Sequence, residues 1–60
     1  MAELTDLELE IQEEIDHRTY KYDLDMPEHE AMRIRESAYS KVVSEGYSIE
    51  DAVEFGIMNF

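Results

Sequence analysis

Cysteine does not occur in this chain of 60 residues, so neither a disulfide nor a thiolate zinc site can hold it together. No apolar run approaches the roughly 20 residues that cross a bilayer, and no basic stretch leads into an apolar one as in a secretory signal. The expectation is a soluble, cytoplasmic protein. Glycine-rich phosphate loops are missing, as is any nucleophile set beside an oriented histidine, so no enzyme chemistry and no cofactor are expected. Internal repeats and low-complexity tracts are missing too. Bases are scarce: five lysines and arginines stand against sixteen aspartates and glutamates, a formal charge of −11. Such a charge repels nucleic acid and anionic membranes, both of which are held through lysine and arginine. A basic protein surface is the natural partner.

What the chain does contain is a hydrophobic fraction of 43%, spread along its whole length, which argues against wholesale disorder. Only one domain fits, because so short a chain buries about 60% of its unfolded surface. A core of this size supplies no more than about 3–5 kcal/mol, so close helix packing or homodimerisation has to add to it.

The local signals are helical. Thr5-Asp6-Leu7-Glu8 has capping-box spacing, with Leu4 and Leu9 placed as a hydrophobic staple. Leu4, Leu7, Ile11, Ile15 and Tyr22 then share one face at 100° per residue, which predicts a helix over about 5–21. Asp23 to Pro27 interrupts it, because proline disfavours helical geometry in the residue before it. Asp25-x-x-Glu28 offers a second cap, followed by a stripe of Ala31, Ile34, Ala38 and Val42 and a shoulder of Met32, Tyr39 and Val43. This predicts a helix over about 26–45, closed by Gly46 in the left-handed region. Ser48-x-x-Asp51 opens a third helix over about 49–58, with Ile49, Ala52, Val53, Ile57 and Phe60 on one side. Gly56 lies on that same side and is expected to let another helix approach closely.

The fold expected is all-α: an antiparallel hairpin with a short third helix packed across it. In the hairpin Leu7 meets Val42, Ile11 meets Ala38 and Ile15 meets Ile34. That register sets Glu14 opposite Arg35 on apolar faces, where an isolated charge is costly, and predicts a structural ion pair between them.

Charge placement carries the functional reading. Residues 3–16 hold seven acids (Glu3, Asp6, Glu8, Glu10, Glu13, Glu14, Asp16) and no base, and residues 42–60 hold four more acids, again with no base. Asp6, Glu10 and Glu13 form a row at i, i+4 and i+7, with Asp16 alongside. Like charges so spaced cost a few tenths of a kcal/mol each. One reading is a merely solubilising face that suits a helix N-terminus. The other is a face presented to cations, whose field steers association. Carboxylates could then stand in for phosphates, at one charge per roughly 3 Å of helix rise against about 1.7 Å for duplex DNA. Tyr20 and Tyr22 sit where the acidic arm ends and can anchor a partner, although tyrosines at such positions more often keep the ring against the core and the hydroxyl in water.

Other motifs are weaker. Glu45-Gly46-Tyr47-Ser48 between two helices invites comparison with a helix-turn-helix, but the helix after the turn starts with Glu50 and Asp51, which repel phosphates. Glu14-x-x-His17 has the spacing of a carboxylate di-iron ligand pair, yet one chain lacks the second such motif, and a dimer would have to complete it with residues such as Glu36. His17 and His29 are expected at the surface, and no metal is expected.

The expected function is therefore that of a small acidic protein-binding module that inhibits or modulates a partner with a basic surface, such as a DNA- or RNA-binding protein, without binding nucleic acid itself. Asp6, Glu10, Glu13, Asp16, Tyr20 and Tyr22 are its expected contact residues. In size, acidity and helicity the chain is similar to phage-encoded host-takeover and antirestriction proteins, a likeness of composition with no shared motif. The alternative is a structural module working as a helical homodimer.

Overall fold

The computed structural model describes residues 4–59. Glu3 of the acidic arm and Phe60 of the third apolar stripe lie outside them. Three helices follow one another: α1 (Asp6–Lys21), α2 (Glu28–Glu45) and α3 (Ile49–Met58).

The start of α1 is the expected capping box. The Thr5 hydroxyl oxygen accepts from the Glu8 amide at 3.2 Å, and the Thr5 amide donates to the Glu8 carboxylate at 3.1 Å. Its end depends on Asp23, which takes a φ of 53°, while the Leu24 amide donates back to the Thr19 carbonyl at 2.9 Å. A short polar side chain tolerates that left-handed geometry better than most. Arg18 and Lys21 in the last turn complement the helix dipole.

α2 begins two residues later than the sequence suggests, and Asp25 does not cap it. Pro27 is the N-cap, with φ −62° and no side-chain cap, and its carbonyl accepts from the amides of Glu30 and Ala31. A cap at Asp25 would force Met26 into helical geometry immediately before a proline, which the proline ring disfavours. At the other end Gly46 has φ 74°, and the amides of Gly46 and Tyr47 both donate to the Lys41 carbonyl. Two residues after Gly46, the Ser48 hydroxyl accepts from the Asp51 amide at 3.2 Å and starts α3.

The core draws two residues from each helix: Ile11 and Ile15, Ile34 and Ala38, Ala52 and Val53. Leu7, Met26, Ala31, Tyr39, Val42, Ile49 and Ile57 pack around it. Among the described residues no polar or charged one is fully buried. Gly56 fits against α2 as expected: a Cβ added there would stand 2.7 Å from Ile34 Cγ2.

The hairpin is antiparallel. Gln12 of α1 accepts from Arg35 of α2 at 2.9 Å, and further along α1 Asp16 shares a groove with Glu28, Ala31 and Met32. The ion pair expected between Glu14 and Arg35 is replaced by two other contacts. Glu14 takes the Arg18 guanidinium at 2.7 Å on its own helix, and Arg35 goes to Gln12. Two residues on a helix are 200° apart around its axis, so Gln12 and Glu14 cannot both face α2. Glu14 lies on the flank of Arg18, which feels the charge of Glu54 on α3. Pairing within one turn of one helix is also the easier contact to order.

Candidate functional site

The outer face of α1 gathers most of the expected contact residues. Asp6, Glu10, Glu13 and Asp16 are all exposed. Asp16 accepts from the Gln12 side-chain amide at 3.0 Å, and Gln12 in turn accepts from Arg35, which lines the same groove as Asp16. Tyr20, one turn beyond Asp16, is 90% exposed, so its ring does not lie against the core as tyrosines at such positions usually do. Tyr22 is separated from this row. It is the C-cap of α1, half-exposed, with the Lys21 ammonium 5.7 Å from its ring centre.

Most cations are engaged elsewhere, Arg35 in the groove beside Asp16 apart. Among the described residues the ion pairs are Arg18 with Glu14, Arg33 with Glu30 and Lys41 with Glu45, and His29 Nε2 stands 3.6 Å from the Glu30 carboxylate. Lys41 is further enclosed by rings, its ammonium 4.2 Å from the centre of Phe55 and 5.3 Å from that of Tyr47. The hydrogen bond from Arg18 to Glu14 raises the Arg18 pKa, and burial opposes the rise only in part. Raising the pKa of a base keeps it charged, so Arg18 stays a cation into strongly alkaline conditions. Among the described residues no ion pair reaches Asp6, Glu10, Glu13 or Asp16.

Two features of this region were missed by the sequence reading. Leu9, assigned to the N-terminal staple, is 47% exposed and lies between Asp6 and Glu13 on the acidic face. Its position, 200° from Leu7 and from Ile11, is the signal that could have revealed this. The second feature is the groove between α1 and α2, lined by Gln12, Asp16, Glu28, Ala31, Met32 and Arg35, with a volume of about 320 Å³. In its floor Arg35 Nε is buried without a hydrogen-bond acceptor.

The remaining motifs gather no site. Glu14 is occupied by Arg18 and His17 is exposed, and among the described residues no three potential metal ligands cluster. Glu50 and Asp51 are exposed in the first turn of α3 and give the α2–α3 corner an anionic front. Among the described residues no helix is long and apolar enough to cross a membrane. No protein-family model, curated protein or solved structure matches the chain.

Proposed function

We propose that the protein binds a partner protein through the outer face of α1 and inhibits or modulates it by covering a basic surface, such as the nucleic-acid groove of a DNA- or RNA-binding protein. The observation that carries this reading is a row of four exposed carboxylates that no ion pair among the described residues engages, next to an almost fully exposed tyrosine. Carboxylates of this kind supply steering and specificity, while buried contact supplies most of the affinity. Tyr20 and Leu9 lie on the same face and are the apolar contacts available to it. Homodimerisation is the weaker alternative, because it brings together two chains each carrying −11.

Affinity capture from a lysate at low and at high salt tests the reading, run in parallel with the variant Asp6→Asn, Glu10→Gln, Glu13→Gln, Asp16→Asn. The expected partner is captured by the native chain at low salt, released by salt and by duplex DNA, and not captured by the variant. A partner held equally by both proteins and indifferent to salt overturns it.

A further inference from the structure

We infer that the groove between α1 and α2 is the seat of a partner's amphipathic helix with basic flanks, which packs against the hairpin as a fourth helix. The inference rests on the reading of a basic partner and adds where and in what form that partner is held.

The hairpin is covered on one side only. On α2, Ile34 packs against Gly56 of α3, while Arg35, 100° further round, reaches α1. Beyond Arg35 come Met32, Tyr39 and Val43, spaced seven and four residues apart and so aligned along the helix. Met32 is 45% and Val43 59% exposed, although Tyr39 beside them packs on the core. In the register fixed by Gln12 and Arg35, Leu9 of α1 stands level with residues 38 and 39 of α2. The uncovered side thus carries apolar side chains at the spacing of a helix-packing seam, including three large ones left half in water.

Charge selects the occupant. Asp16 and Glu28 line the groove, and among the described residues neither has an ion-pair partner. Both can receive lysines or arginines flanking an incoming apolar stripe. A second copy of this chain would bring further carboxylates to the same rim, since it too carries −11. The floor is incompletely satisfied as well: Arg35 donates to a neutral amide and leaves Nε without an acceptor. A partner side chain or backbone carbonyl that draws Arg35 outward supplies one, and an unmet buried donor is a standing cost in the free protein.

The test uses a synthetic amphipathic peptide of 18 residues, the length of α2, with leucines at helical spacing and lysines on both flanks. Its control is the same composition in scrambled order. Titration into the full chain, followed by amide chemical shifts, is expected to move Leu9, Gln12, Met32, Arg35 and Val43. The double variant Met32→Gln, Val43→Gln keeps charge, does not lower helix propensity and is expected to weaken binding about tenfold. Asp6→Asn, Glu10→Gln lies away from the groove and is expected to change mainly the salt dependence. Equal binding of the scrambled peptide, shifts confined to Phe55 and Met58 of α3, or a dimer that the double variant dissolves each overturns the inference. If groove substitutions have no effect while Asp6→Asn, Glu10→Gln still abolishes partner capture, the fourth-helix seat is wrong and the acidic-face reading stands. The reverse pattern would leave the seat and remove the face.

Discussion

Replacing Gly56 by alanine sets a propensity gain against a packing loss at one atom. Alanine is favoured over glycine inside a helix by about 1 kcal/mol. Against that, the new methyl group would stand 2.7 Å from Ile34 Cγ2, closer than carbon atoms tolerate. Ile34 is buried, and a β-branched side chain in a helix holds essentially one χ1 rotamer, so its methyl cannot swing aside. Overpacking of this kind costs about 1–3 kcal/mol. The net expectation is a destabilisation of up to about 2 kcal/mol, a drop in melting temperature of roughly 4–8 °C per kcal/mol in a domain this small. Urea unfolding followed by far-ultraviolet circular dichroism measures it. The companion substitution Ile34→Leu moves the branch one carbon outward and removes Cγ2, at a cost below about 1.5 kcal/mol. In the double variant the clash is gone and the propensity gain survives, so the coupling between the two substitutions is expected to exceed about 0.5 kcal/mol in the favourable sense. If Gly56→Ala alone raises the unfolding midpoint, and Ile34→Leu adds to it independently, the close approach of α3 to α2 is not what glycine serves.

Three further substitutions test other contacts. Glu10→Lys turns like-charge pairs with Asp6, Glu13 and Glu14 into opposite ones and is expected to stabilise the fold by about 0.5–1 kcal/mol, while slowing association with the captured partner. Thermal melts and stopped-flow rates read the two effects separately. Asp23→Gly relieves the left-handed backbone at φ 53° and should stabilise by less than about 1 kcal/mol; a loss of stability would mean that the Asp23 side chain holds the turn itself. Arg35→Met keeps the apolar stem and removes a buried donor without an acceptor, so the urea midpoint should be unchanged or higher, and a fall of about 2 kcal/mol would show that the Gln12 contact matters more than the orphaned Nε.

What the sequence revealed and what it hid divide along a physical line. Thr5, Gly46 and Ser48 act on amides and carbonyls within six residues of themselves, so their spacing alone announces the helix ends. The cap at Asp25 failed within the same range because two local rules competed, and the constraint on the residue before Pro27 outweighed one carboxylate hydrogen bond. Longer-range errors have a different source. Whether Glu14 meets Arg35 or Arg18 depends on the rotation of α1 about its axis, and that rotation is set by where α3 lies as well as α2. The same angle decides that Leu9 and Tyr20 face water and that Gln12 faces the groove. Periodicity gives the width of an apolar stripe but leaves its bearing uncertain by about one side chain, which is enough to exchange a partner.

The acidic row on α1 raises a question of free energy that the fold itself sharpens. A core with two residues from each helix has little stability to spare, yet Asp6, Glu10 and Glu13 repel one another at a spacing where a single lysine would attract. Three of the five bases are paired within their own helix: Arg18, Arg33 and Lys41 each lie against a carboxylate one turn away. Pairing is therefore available to this sequence and absent from one face. Solubility does not demand that arrangement, because a charge of far smaller magnitude than −11 keeps a small domain in solution. A cation supplied from outside relieves the repulsion on binding, so strain in the free protein becomes driving force in the complex. The two explanations part at Glu10→Lys: the change stabilises the fold under either, but a face that only solubilises loses no binding by it, whereas a face built for an external cation binds more slowly.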